Sequence, residues 1–212
     1  MPEPIVSSNS GTEVPGPSRQ PRQADKPGQI LAAAQSVVME GGFASLQMTA
    51  VAAAAGIAVG TIYRYYPSRA DLCAAIVSST SQRELDVICA IEASDASPSD
   101  KLRDGVRTFV ARAMQGRRLA YGLIFEPIDP TVETTRLYYR RAIADVFEQI
   151  IRKGIAVGEF RSLDPAVAAT CTVGAFMEGL IGTLAPDAEG APGCEHARSA
   201  EIAEYCLAGV SA

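Results

Sequence analysis

Apolar positions recur along this chain with the spacing of one helical face, and the first clear run begins just after Gln29. Ile30, Leu31, Ala34, Val37 and Val38 fall at offsets 0, 1, 4, 7 and 8, which puts them on one side of a 3.6-residue repeat. Gly41-Gly42 stops that run, since glycine ends a helix without a steric penalty. A second run carries Met48, Val51, Ala52 and Ala55 at offsets 0, 3, 4 and 7 and ends at Gly56. A third carries Val59, Ile62, Tyr63 and Tyr66 and ends at Pro67, which disfavours helical backbone in the residue before it. Ser68 with Asp71 three residues on is a capping-box pattern that opens a further helix.

Three later helix starts are written alike, with a capping side chain followed by proline: Ser97-Pro98, Asp129-Pro130 and Asp164-Pro165. The helix from Pro98 to Met114 puts Leu102, Val106, Phe109, Val110 and Ala113 on one face. The helix from Pro130 to Lys153 does the same with Ile143, Val146, Phe147, Ile150 and Ile151, and Gly154 closes it. Pro165 to Leu184 is apolar nearly all round, with Glu178 its one acid and glycines at 174, 179 and 182. Such a helix must be covered on several sides. A last helix spans Glu195 to Gly209. No alternating strand pattern of any length and no internal repeat occurs, so the predicted fold class is all-α.

Ahead of the helices, the first 28 residues hold six of the 13 prolines, a composition that cannot bury enough apolar surface to offset ordering entropy. A disordered tail is expected over residues 1–25. Arg19, Arg22 and Lys26 make it a candidate basic arm for a phosphate backbone; a solvated tail without function is the alternative. The 212 residues are 48% hydrophobic and 20% charged, which excludes a wholly disordered chain. Net charge is −5, so nucleic-acid binding through a general positive charge is excluded and any such contact must be local.

The five cysteines, Cys73, Cys89, Cys171, Cys194 and Cys206, form no C-x-x-C and are widely spaced. That fits reduced thiols better than a zinc site or a disulfide framework. Met1 to Val6 carries acid and no apolar run follows, so a secretory signal is not expected and the predicted location is the cytoplasm.

Three short helices, the last two joined through Gly56-Ile57-Ala58-Val59, have the helix-turn-helix arrangement, whose second helix enters the DNA major groove. Gly42-Phe43, the run from Met48 to Ile57, and Gly60-Thr61-Ile62-Tyr63-Arg64-Tyr65-Tyr66-Pro67-Ser68-Arg69-Ala70-Asp71-Leu72 strongly resemble the DNA-binding domain of tetracycline-repressor-like (TetR) regulators. The family's run reads roughly G-T-[LI]-Y-x-[YH]-F-x-[SN]-K-x-x-L, and the likeness covers some forty-five residues.

The resemblance implies a DNA-binding domain over residues 26–72, with its motif at 47–66 and its recognition helix at 59–65, followed by an effector-binding and dimerisation domain over 73–212. It implies DNA contacts from Lys26, Gln47, Thr49, Val59, Gly60, Thr61, Tyr63, Arg64, Tyr65 and Arg69. Tyr63 and Tyr65 match phosphate-contacting aromatics, and Arg69 matches a phosphate-contacting lysine. Gly60 matches a small residue that permits close approach to the backbone. Arg64 is the position that reads sequence; a bidentate pair with guanine is worth roughly 1–3 kcal/mol of discrimination. The alternative for Tyr63 and Tyr66 is packing within the bundle, and for Tyr66 packing is the expectation. Gln47, Thr49, Ala58 and Val59 depart from the family's usual Ser/Thr, Arg and Ser-Lys, which removes possible phosphate and capping contacts.

The resemblance further implies a homodimer formed through the last two helices and a palindromic double-stranded DNA operator. It also implies a small-molecule effector that releases the repressor from DNA. Candidate pocket residues are Phe109, Met114, Tyr121, Phe125, Tyr139, Phe147, Cys171, Phe176, Met177 and Glu178. Ordinary core is the competing account for each of them. Few charges fall among these positions, so the expected ligand is mainly apolar, anchored by a tyrosine hydroxyl or Glu178.

Three rival readings remain beside this one. No catalytic constellation, cofactor motif or metal-spaced cluster accompanies the sole histidine, His196, so an enzyme is not expected. Gly41 to Tyr63 is uncharged over 23 residues, enough for a membrane span by length, but its glycine breaks and one-sided periodicity favour a soluble motif and no membrane partner. A helical small-molecule-binding dimer that has lost sequence-specific DNA binding is the closest alternative.

Overall fold

The computed structural model describes residues 25–127, 129–186 and 195–212. The expected tail, with Arg19 and Arg22, lies outside the described residues apart from Asp25, and so does Cys194. Ten helices run in the described chain, beginning with α1 (Lys26–Gly41), α2 (Met48–Ala55), α3 (Val59–Tyr65), α4 (Arg69–Glu92) and α5 (Pro98–Gln115). They continue as α6 (Arg117–Ile124), α7 (Pro130–Ala156), α8 (Pro165–Glu178), α9 (Ile181–Leu184) and α10 (Glu195–Ala208). Apart from an isolated bridge between Phe160 and Ser211, no β-structure occurs among the described residues, as the all-α reading requires.

The helix starts follow from local chemistry. Ser68 accepts from the Asp71 N–H at 3.1 Å while the Asp71 carboxylate accepts from the Ser68 N–H at 2.9 Å, the reciprocal bond pair of a capping box. Ser97 accepts from the Asp100 N–H, and Asp164 from those of Ala166 and Val167. The first helix starts at Lys26, four residues before the apolar run begins, because Asp25 caps it through the Gly28 N–H.

Three expectations need correction. Between Gln115 and Pro130, where no helix is legible, the chain forms α6, with Gly116 at its start and Gly122 inside it. The segment Pro165–Leu184 is not one helix. At Gly179 and Leu180 the ladder tightens, Leu180 donating to Met177 and Thr183 to Leu180, while Gly179 lies against Ile202 of α10. Nor does Gly154 close α7, which runs on to Ala156; Gly154 is where the Phe160 ring packs, and a Cβ there would fall 2.1 Å from it.

Two apolar cores form. The first gathers Ile30, Ala34, Val38, Phe43, Leu46, Val51 and Ile62 of the opening bundle with Leu72, Cys73, Ile76 and Val77 of α4. Val132, from the first turn of α7, belongs to it, and Leu119 and Leu123 of α6 pack on its edge. The second core lies among α5, α7, α8 and α10, around Phe147, Phe176, Val106, Ile150 and Leu180. Helix α4 packs along α7, α7 along α8, and α5 along α10, so α4 and α7 reach both cores.

The stretch Gly41–Tyr63 is divided among the end of α1, a 3-10 turn at Phe43–Ser45, α2 and α3, which removes the single span that its length allows. Among the described residues, Pro165–Leu184 is apolar and long enough to cross a membrane by composition. It breaks at Gly179 and buries Thr172, Val173, Phe176 and Met177 inside the chain.

Candidate nucleic-acid interface and effector cavity

Helix α3 is fixed from beneath by one residue, Ile62, which is wholly buried. Gly56 makes the turn into it with left-handed backbone at φ 64°, ψ 36°, a conformation that favours glycine. With Ile62 inward, the seven-residue helix turns Gly60, Tyr63, Arg64 and Tyr65 to solvent. Tyr63 is 49% exposed and Tyr65 40%, so neither is core. Arg64 has no hydrogen bond or ion pair among the described residues. A Cβ at Gly60 would meet nothing within 4 Å, so nothing among the described residues requires a glycine there.

Tyr66 packs against the first core, and its hydroxyl donates to the Pro27 carbonyl at 3.4 Å. Burial, with Asp25 nearby, raises its pKa. Thr61 and Val59 are half-buried, while Gln47 and Thr49 are exposed at the start of α2. Lys26 donates to Gln29 at 3.3 Å. Arg69 turns inward: Nε donates to the Leu46 carbonyl at 2.8 Å and Nη2 to that of Phe43. It ties the loop before α2 to α4, a positioning task that the sequence does not reveal.

A cavity of about 160 Å³ opens between α4, α5, α6 and α7. Phe109, Ala113, Ile143 and Met177 belong to its apolar lining, and Leu119, Leu123 and Ile124 of α6 form one wall. Of the expected pocket residues, Phe109, Tyr139 and Met177 line this space. Phe125, Met177 and Glu178 line a neighbouring groove between α7 and α8, and Cys171 lines an outer groove between α8 and α10. Met114, Phe147 and Phe176 are core: the Phe176 ring lies 4.8 Å from that of Phe109 and 5.7 Å from that of Phe147. Tyr121 stacks on Phe125 at the edge of the second core. The ten residues therefore do not converge on one site.

Charged residues of the cavity lining went unread in the sequence. Arg112 pairs with Glu84 through two bonds of 2.7 and 2.9 Å. Arg136 is only 7% exposed; it pairs with Glu133 and donates to the carbonyls of Gly122 and Glu126. Its buried Nε has no partner, an omission that costs roughly 1–3 kcal/mol. One turn along, Arg140 donates to the Ile124 carbonyl at 3.1 Å. The two guanidiniums thus meet the C-terminal end of α6, where a helix presents its free carbonyls and negative dipole end.

The other side of α6 faces the opening bundle. Gly122 receives the Phe43 ring, and a Cβ there would lie 2.6 Å from it. Glu126 accepts from the Phe43 N–H at 3.3 Å, and Arg118 donates to the Glu40 carbonyl. One short helix therefore forms a wall of the cavity and a seat for the DNA-binding bundle.

The sequence pattern of bacterial regulatory proteins of the tetR family matches residues 30–76, and that of the tetracyclin repressor-like C-terminal domain matches residues 95–178. Together they cover more than half of the chain. The chain belongs to the TetR family. Within it, 50 residues (24% of the chain) are 44% identical to the HTH-type transcriptional repressor KstR of Mycobacterium tuberculosis (strain ATCC 25618 / H37Rv), and 61 residues (29%) are 38% identical to KstR of Rhodococcus jostii (strain RHA1). The matches span 23% and 29% of those two curated relatives. Among solved structures, the regulator FadR of Bacillus subtilis, in complex with stearoyl-CoA, superposes with a TM-score of 0.76 at 21% identity, covering 87% of this chain and 99% of that one. FadR of Bacillus halodurans gives 0.74 at 21% identity over 87% and 99%. Those two likenesses establish the fold.

As a TetR-family helix-turn-helix, this one is sparsely capped. Neither Gln47 before α2 nor Ala58 before α3 makes a side-chain cap bond. The cavity's arginines, by contrast, were hidden by their chemistry. Arginines at 136 and 140 sit on an otherwise amphipathic helix and look like solvated charge until the fold turns one of them inward.

Proposed function

We propose that this chain is a cytoplasmic, homodimeric repressor whose grip on a palindromic DNA operator is released by a small, mainly apolar effector. The observation that carries the reading is the bare outer face of α3. Tyr63, Arg64 and Tyr65 are exposed around a helix held only by Ile62, and burying one side while leaving tyrosines outside is what a groove-reading helix needs. Arg64 reads a base edge, Tyr63 and Tyr65 touch phosphates, and Gly60 lets the DNA backbone come close.

Dimerisation through α8 and α10 is supported by the exposed stripe Val167, Thr170, Cys171, Gly174 and Glu178, at offsets 0, 3, 4, 7 and 11. Tyr205 of α10, 74% exposed, stands beside it. A Cβ at Gly174 or Gly182 would meet nothing within the chain, so intrachain packing gives no reason for either glycine, whereas a two-fold partner does. Helix α6 supplies the coupling: a ligand against Leu119 and Leu123 bears on the helix that seats Phe43. Effector binding then favours a dimer geometry that no longer matches successive major grooves.

Selection of a random duplex library by the purified protein tests this. An enriched palindrome, bound less tightly by Arg64→Ala, is the expected result. No enrichment at low salt by a folded dimer overturns it.

A further inference from the structure

Resting on the effector reading above, we infer that the cavity takes an amphipathic anion: an alkyl chain against Phe109, Ala113 and Ile143, and a carboxylate or phosphate head at Arg136 and Arg140. Sequence alone points to a mainly apolar ligand; the lining changes the polar half of that expectation.

Three observations converge. First, the lining holds three arginines, Arg112, Arg136 and Arg140, against one carboxylate, Glu84. Glu84 is already bound to Arg112 by two hydrogen bonds and Glu133, outside the lining, pairs with Arg136, which leaves Arg140 as the lining's guanidinium without a carboxylate partner. Glu133 meets only Nη1 of Arg136. Second, Arg136 is more than nine-tenths buried with an unpartnered Nε, and a buried donor of that kind is satisfied by an acceptor that the protein does not supply. Third, Arg140 has a backbone carbonyl but no carboxylate as partner, and it lines both this cavity and the neighbouring groove. Arginines four residues apart lie on one helix face, and guanidiniums bind carboxylate and phosphate oxygens in matched geometry.

The same geometry gives the head group a mechanical effect. Arg136 and Arg140 now hold the carbonyls of Gly122, Ile124 and Glu126. An anion competes for those donors, frees the C-terminal turn of α6 and disturbs both Gly122 and Glu126, the residues that receive Phe43. A neutral ligand of the same size packs on the apolar lining without that competition.

An apolar cavity of about 150 Å³ holds a benzene-sized molecule, so the enclosed space suits about six chain atoms with the head at its edge. The probes are octanoate, octyl phosphate and 1-octanol, titrated calorimetrically against the full chain and then against its complex with the selected duplex. Octanoate or octyl phosphate should bind at least about tenfold more tightly than octanol, and the tighter of the two identifies the head. Arg140→Gln should remove that preference, lowering affinity for the anion far more than affinity for octanol, and Arg140→Lys should restore part of it. Melting curves of both variants confirm folding. Equal affinity for octanol and octanoate, an equal loss of both in Arg140→Gln, or no binding by any of the three overturns the proposal. If octanol alone binds and releases the duplex, the anion site fails while the effector reading stands. If octanoate binds through Arg140 but DNA stays bound, the site stands and the effector reading fails.

Discussion

The two cores of this protein differ in where they place their aromatic side chains. The first is mainly aliphatic, with Ile30, Leu46, Val51, Ile62 and Leu72 packed around Phe43, and leaves two tyrosines of α3 in solvent. The second draws three phenylalanines inward, the Phe176 ring against those of Phe109 and Phe147, and leaves a cavity beside Phe109. A bundle that must fit a groove benefits from a thin scaffold with bulk outside, whereas a domain that must accept a guest needs bulk inside with a gap left in it. An exposed aromatic is therefore the functional signal in the first region, and a buried charge in the second.

That contrast can be broken in order of effect. Phe147→Ala, in the aromatic core, should cost about 3–5 kcal/mol of unfolding free energy, read by denaturant melts; Ile62→Ala in the mainly aliphatic bundle should cost about 2–5 kcal/mol and abolish duplex binding. A second core that tolerates Phe147→Ala with little loss would contradict the division. Gly122→Ala drives a methyl into Phe43 and should destabilise by about 1–3 kcal/mol, with weaker DNA binding even without effector. Arg64→Ala should weaken the selected operator by about 1–3 kcal/mol and relax its sequence at one position, while leaving the melting temperature unmoved.

Smaller effects sharpen the picture. Among the described residues on the DNA side, Lys26, Arg64 and Arg69 have no acidic partner, but Arg69 is turned inward to the Leu46 and Phe43 carbonyls. With Arg64 given to a base edge, one phosphate contact per protomer, from Lys26, predicts a slope of log K against log salt of about −2 for a dimer; a slope near −10 would mean many phosphate contacts lie elsewhere. Burial pushes the Cys206 thiol up to about 11. The unfolded chain then ionises first as pH rises, so the neutral thiol's contribution is complete below about 9 and is lost between about 9 and 11. Cys206→Ala should flatten that alkaline fall in melting temperature.

Helix starts were legible in the sequence because they depend on neighbours three residues apart, as Ser68, Ser97 and Asp164 illustrate. The recognition helix was legible through a family pattern, and its tyrosines and Arg64 stand where that pattern implies. Helix α6 was not, although Leu119, Ala120, Leu123 and Ile124 fall at offsets 0, 1, 4 and 5, because it is only eight residues long, with Gly116 at its start and Gly122 inside it. The break at Gly179 depends on Ile202 of a distant helix, and the inward turn of Arg69 depends on carbonyls more than twenty residues away. Pocket residues were hardest, because a phenylalanine in a core and one beside a cavity have the same periodicity. Only the packing of the other helices distinguishes Phe109 from Phe147.

Val132 gives the molecule a constraint on how it can be recombined. It lies in the first turn of α7, yet it is sealed into the core of the DNA-binding bundle together with Cys73, Ile76 and Val77 of α4. A chimera that joins this reading head to another sensor at Leu72 would expose one flank of that core. Exchange would succeed only if the graft carried the first turns of α4 and a matching replacement for α6 and Val132, so operator reader and ligand sensor are inherited as a fitted pair.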